Sequence, residues 1–138
     1  MLNHVDVISE DVEAAVTFYR RLGIAIPEES VWRHKGRAHH VGITLPNGVE
    51  LSLSSAELTK AYASGWESGN ILITSVPSRD AVDELFADLA GAGHPVLQQP
   101  FDAFWGARYA IVRDPAGNNV GIMSPSDGEH GSVPGFED

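Results

Sequence analysis

Hydrophobic and polar positions along the chain fall into two similar runs. Residues 2–8 (LNHVDVI) alternate, with Leu2, His4, Asp6 and Ile8 on one face and Val5 and Val7 on the other, as in a half-buried strand. From about Asp11 to Leu22, Val12, Ala15, Val16, Tyr19 and Leu22 recur at helical spacing, and Gly23 stops the pattern. Strand-like runs follow at 30–34, 38–45 and 49–54. Pro46-Asn47-Gly48 joins the last two, and Asn-Gly between alternating runs marks a hairpin. The order is β-α-β-β-β.

The same order then returns. Residues 70–76 read as a strand, and Ser78 caps a helix with a stripe of Val82, Leu85, Phe86 and Leu89 that ends at Gly91 and Gly93. Strand-like pieces cover 94–98, 107–113 and 119–123, with Asp114-Pro115-Ala116-Gly117-Asn118 as the last turn. The predicted division is a first module over 1–54, a connecting segment over 55–68 with a short helix near 57–63, and a second module over 69–124. Residues 125–138 are rich in Gly, Pro, Ser and acids and read as a flexible acidic tail. The fold class is α+β: two tandem βαβββ modules form a curved mixed sheet around a cleft, with helices on the outer face.

Sorting the strands by face separates two chemistries. Val5, Val7, Val41, Ile43, Leu45, Val49, Leu51, Leu53, Ile71, Ile73, Val120 and Ile122 form an apolar set expected under the helices. The opposite set is His4, Asp6, His40, Thr44, Glu50, Ser52, Ser54, Asn70, Thr74, Gly121 and Met123. A solvent-facing sheet would carry Lys, Arg and Glu there. Small, hydroxyl and histidine side chains instead suggest the inside of a cup.

Composition narrows the partners. At 138 residues and 43% apolar content the chain is one domain with a sizeable core. Nine Lys and Arg against 19 Asp and Glu give a net charge of −10, which argues against nucleic acid. The acidity serves solubility or draws a cationic ligand; composition does not separate the two. No apolar run approaches a membrane span, and the opening MLNHVDVISED lacks the pattern of a signal peptide, so a cytoplasmic protein without membrane contact is expected. With no cysteine there is no disulfide, thiolate metal site or cysteine nucleophile. Neither a G-x-S-x-G elbow nor a G-x-G-x-x-G strand–helix turn is present.

The doubled βαβββ order, the DVEAAVTFYRRLG helix at 11–23 and the stretch WGARYAIVRDPAGNNVGI at 105–122 resemble the glyoxalase/bleomycin-resistance/extradiol-dioxygenase (vicinal oxygen chelate) superfamily over about residues 2–124. The resemblance implies two modules around a shared cavity and a homodimer in which the modules of two chains complete two equivalent cavities. In the family's metal enzymes a His on each module's first strand and a residue, commonly Glu, on each last strand ligate the metal. Here these positions read His4 and Glu50 in the first module, Asn70 and Gly121 in the second. Two ligands and two blanks fall short of the three a catalytic metal needs, so the site is expected to be metal-free, with His4 and Glu50 vestigial. His39 and His40 face opposite ways on a strand, which leaves His4, His40 and Glu50 as the remaining metal arrangement.

The aromatic residues point to binding. Trp32 and Trp105 fall at edge or loop positions, with Trp66 in the connecting segment and Phe101, Phe104 and Tyr109 near Trp105. Such rings offer flat surfaces to a planar or cationic ligand. The expected ligand-binding set is Trp32, His40, Glu50, Trp66, Phe104, Trp105, Tyr109 and Met123. By resemblance to the bleomycin-resistance branch, the expected function is metal-free sequestration of a bulky, partly aromatic and in one variant cationic molecule such as an antibiotic. The alternatives are a metal-dependent lyase, isomerase or dioxygenase using His4 and Glu50, and a metal-free enzyme of the same fold.

Overall fold

In the computed structural model, which describes residues 1–128 and 131–136, one eight-stranded sheet runs through both halves of the chain. In chain order the elements are β1 (Leu2–Ser9), α1 (Val12–Arg21), β2 (Trp32–His34), β3 (Arg37–Thr44), β4 (Glu50–Ser55), α2 (Ala56–Tyr62), β5 (Ile71–Ser75), α3 (Arg79–Gly91), β6 (Val96–Asp102), β7 (Arg108–Arg113) and β8 (Asn119–Met123). The spatial order β2-β3-β4-β1-β5-β8-β7-β6 is two copies of one pattern related about the central β1–β5 pair. That pair is antiparallel, whereas β1 with β4 and β5 with β8 are parallel, each closing one βαβββ module. The sheet is curved and does not close.

Local chemistry sets the helix starts. Asp11, Ser55 and Ser78 each accept a hydrogen bond from the backbone amide three residues on, capping α1, α2 and α3. Val12 and Val16 of α1 pack on Val41, Leu51 and Leu53, and Val82 of α3 packs on Ala110 and Ile122. These two cores fill the convex side of the sheet.

Three expectations need correction. The first strand-like piece after α3, expected over 94–98, runs on to Asp102 through Pro100; β6 is an edge strand with shifted register, where a missing N–H is tolerated. Ile71 and Ile73 lie on the concave side instead of under α1 or α3, in a cluster with Ala56 of α2, Trp66, Leu97, Tyr109 and Ile111. Asn70 accepts a hydrogen bond from the Ile8 amide and Thr74 pairs with Ile122, so neither contributes to the cup. Alternation misleads at β5 because this central strand is covered on both faces.

The third correction concerns the segment after Ser124. Its described residues are docked: Val133 and Phe136 are buried with Leu58 of α2, and the Gly131 amide donates to Phe104 O at 2.7 Å. Asp127 pairs with Arg79 at 2.7 Å, and Ser126 Oγ donates to Trp105 O. Two apolar residues suffice because they enter a groove already lined by rings. Glu129, His130, Glu137 and Asp138 lie outside the described residues.

Candidate functional site

A cavity of about 550 Å³ occupies the concave side, and both modules of the one chain line it. The cup-facing side chains of β1, β3 and β4 form its floor. On β3 and β4 the hairpin register pairs His40 with Ser54, Gly42 with Ser52 and Thr44 with Glu50, while β1 brings Asp6 beside Ser52 and His4 beside Glu50.

Two hydrogen-bonded relays result. Ser54 Oγ donates to the buried Asp6 carboxyl at 2.7 Å, so its contact with His40 Nδ1 at 3.0 Å is donated by the ring N–H. His40 Nε2 is left as an acceptor above Gly42, where a Cβ would come within 3.7 Å of it. Burial lowers the His40 pKa to about 4, so the ring is neutral at pH 7. Burial raises the Asp6 pKa, opposed in part by the Ser54 hydrogen bond and the nearby His4.

In the second relay His4 Nδ1 lies 3.3 Å from Glu50 and His4 Nε2 lies 2.7 Å from Ser52 Oγ. With the ring proton on Nδ1, the side that faces the Glu50 carboxylate, Ser52 donates to Nε2. Burial lowers the His4 pKa more strongly than Glu50 and Asp6 raise it. Carboxylate, imidazole and hydroxyl in this order match the parts of an activated serine. β4 is paired on both sides, however, so its backbone amides are committed to the sheet and unavailable as an oxyanion hole. The floor is built to hold hydrogen-bonding groups in fixed orientations.

The opposite wall is aromatic. Tyr62 of α2 stands edge-on to Trp105 at 5.2 Å between centroids; Trp105 meets Tyr109 at 5.5 Å and Phe104 at 4.9 Å. Trp32, His34, His39 and Phe136 form a second group of rings, with His39 and Phe136 edge-to-face at 4.7 Å. Trp32 is 38% exposed and reaches the cavity, as do Phe136, Val133, Ser132 and Gly131 of the docked C-terminal segment. No Lys or Arg is among the lining residues.

The structure brings together most of the residues singled out from sequence. Trp32, His40, Phe104, Trp105, Tyr109 and Met123 all line the cavity. Trp66 does not: it is 5% exposed, sits in the core, and its indole N–H donates to Gly69 O at 2.8 Å. Glu50 is engaged by His4 outside the lining. Sequence reasoning missed Leu58 and Tyr62, which the N-cap at Ser55 aims inward, and the whole C-terminal contribution. The spacing Leu58–Tyr62, one helical turn, was the available signal for the first pair.

The metal arrangement of the family's enzymes fits poorly here. Among the described residues, no group of three or more His, Asp or Glu side chains is placed to hold a metal ion. Asn70 is turned to the Ile8 amide, and a Cβ on Gly121 would fall 2.7 Å from Tyr109 Cε1 and Oη. The Tyr109 ring occupies the space a ligand from β8 would need. His4 Nε2 and Nδ1 are both taken by protein partners.

Solved structures share the architecture. A chain described as an NAD-dependent benzaldehyde dehydrogenase from Legionella pneumophila superposes with a TM-score of 0.68 at 20% identity, covering 88% of this chain and 96% of that one. A glyoxalase/bleomycin resistance protein/dioxygenase superfamily member from Vibrio splendidus gives 0.54 at 14% identity, covering 88% and 96%. A Mn(II)-bound glyoxalase from Novosphingobium aromaticivorans gives 0.57 at 20% identity, covering 95% of this chain and 40% of that one. At these identities the likeness is one of fold. No curated protein sequence matches the chain. Its sequence over residues 1–122 does match the model of a family, and the chain therefore belongs to the Glyoxalase/Bleomycin resistance protein/Dioxygenase superfamily.

Proposed function

We propose that the chain binds and sequesters a bulky, partly aromatic small molecule, of the kind an antibiotic presents, without a metal and without turnover. The observation that carries this reading is the pairing of a ring-lined wall with a neutral-to-acidic floor around about 550 Å³. That volume suits a ligand of drug size. With Asp6 on the floor and no Lys or Arg in the lining, uncharged or cationic compounds are favoured over anions. Committing both His4 nitrogens to protein partners supports binding over metal chemistry.

Tryptophan quenching by two acridines of opposite charge tests it. 9-Aminoacridine should quench and saturate, whereas acridine-9-carboxylate should not. Trp105→Ala should weaken the former by about tenfold, as loss of a ring worth about 1 kcal/mol or more implies. Saturable binding of the anion alone, or no binding of either compound, would remove the reading. A homodimer belongs to the same proposal. Phe18 and Leu22 stand exposed one turn apart on the outer side of α1, and β2 and β6 are open sheet edges. Light scattering at micromolar concentration should give twice the chain mass, and the chain mass alone would refute it.

A further inference from the structure

The two relays on the cavity floor end side by side. From Asp6 the donors run one way: Ser54 donates to the carboxyl and His40 Nδ1–H donates to Ser54, so His40 Nε2 ends this relay as a lone pair. From Glu50 the other relay runs through His4 to Ser52, whose one proton goes to His4 Nε2, so Ser52 Oγ ends it with lone pairs alone. Gly42, which pairs with Ser52 and lies two residues past His40, borders both ends. A Cβ placed there would lie 3.7 Å from His40 Nε2 and 3.8 Å from Ser52 Oγ. Apart from Gly42 and its chain neighbours, no other described atom comes within 4 Å of that point. The missing side chain thus leaves one open spot in contact with two acceptors. His40 and Ser52 both line the cavity, and Gly42 is exposed. Among the described residues His40 Nε2 has no hydrogen-bond partner, and it is not sealed from solvent.

From this we infer that His40 Nε2 and Ser52 Oγ form a two-acceptor seat for a primary amino group carried on a flat, cationic ring system. The inference rests on the binding reading above and names the ligand chemistry within it. Two acceptors call for a group with two hydrogens to give, and one nitrogen bearing two N–H bonds serves both from the spot above Gly42. A carbonyl or ether oxygen would set lone pairs against lone pairs, and a hydroxyl would satisfy only one end. Burial lowers the His40 pKa to about 4, so the ring takes up no proton at pH 7 and stays an acceptor. Positive charge suits the site because a carboxylate, Asp6 or Glu50, backs each relay and no Lys or Arg is in the lining. Trp32, which pairs with His40 across β2 and β3, lines the same cavity and supplies aromatic surface beside the seat.

Proflavine and acridine orange test this. Both are three-ring acridine cations at pH 7, and the two primary amino groups of the first are dimethylated in the second. Fluorescence anisotropy of the dyes with the full chain should show proflavine binding about tenfold more tightly, the size of two hydrogen bonds of modest net worth. In Ser52→Ala and in His40→Phe the preference should fall to about threefold or less, through weaker binding of proflavine with acridine orange unchanged. Circular dichroism checks that each variant is folded, and Ser52→Ala carries the comparison by itself if His40→Phe is not. His40→Phe keeps a ring of similar size, so a preference set only by the bulk of the methyl groups would survive the substitutions, which overturns the inference. Equal binding of the two dyes by wild type, or tighter binding of acridine orange, overturns it while leaving the binding reading standing. If neither dye binds, the inference falls, and the binding reading falls with it only when 9-aminoacridine also fails.

Discussion

The two halves of the cavity are made from the same strand order and use it differently. In the first module the concave face stays polar: Asp6, His4, His40, Ser52 and Ser54 satisfy one another across three strands. In the second module the corresponding face is apolar, with Ile71 and Ile73 covered by Trp66, Leu97 and Tyr109. One copy of the unit thus keeps a hydrogen-bonding floor while the other has become a core. The strand order repeats while the inner surfaces differ, because register, caps and turns do not depend on which side chains point inward. The cavity is asymmetric for that reason.

The largest effect expected from this contrast lies on the apolar side. Tyr109→Ala, which empties a fully buried site among the rings of Tyr62, Phe101 and Trp105, should lower unfolding free energy by about 3–5 kcal/mol in urea melts. A loss under 1 kcal/mol would mean that the second module's inner face is no core. Next comes the C-terminal segment that bridges floor and wall. Ending the chain at Ser126 removes Val133 and Phe136, and should cost about 2–3 kcal/mol, roughly 8–12 °C in melting temperature. An unchanged melting curve would show that the segment adds nothing to the junction.

The polar side should announce itself through pH. His40 is neutral in the folded chain with its pKa lowered to about 4, while in the unfolded chain it titrates near the ordinary 6.5. The unfolded state therefore binds the extra proton between those values, and stability falls as pH drops from about 6.5 to 4. The full shift corresponds to about 3 kcal/mol; because the ring borders a wet cavity, about 2 kcal/mol is the expected loss. Asp6 acts in the opposite sense: its raised pKa favours the protonated native state and returns stability over the lower part of that range. Urea melts across this window should show a steeper slope for Asp6→Asn and a shallower one for His40→Asn. The smallest effect belongs to Ser52→Ala, about 1 kcal/mol for one hydrogen bond to His4. A loss as large as that of Tyr109→Ala would erase the distinction between floor and wall.

Much of this was legible in the sequence. The Pro46-Asn47-Gly48 turn, the cap at Ser78, and the alternation in β1, β3 and β4 identify the modules and the inward residues of the first. The second module was harder because β5 is buried on both sides, so the polar Asn70 and Thr74 gave a false face. Trp66 looked like a ligand ring because its position in a connecting segment hides the Gly69 carbonyl that claims its N–H. The docking of Val133 and Phe136 could not be read from composition, since it depends on a ring-lined groove assembled from β2, β3 and α2.

The central place of β1 also bears on how the chain is made. This strand leaves the ribosome ahead of the other seven, yet one of its two edges waits for β5, about 70 residues later. β4 ends at Ser55 and β5 at Ser75, so at roughly 5–20 residues per second that edge stays open for about 1–4 seconds after the first module can form. Its hydrogen bonds are satisfied equally well by β5 of the same chain or by β5 of a second nascent copy. Exchange of second modules between neighbours would rebuild the same central pair and the same asymmetric cavity with no new contact. In the proposed homodimer, the extent of such exchange would follow the local chain concentration during synthesis.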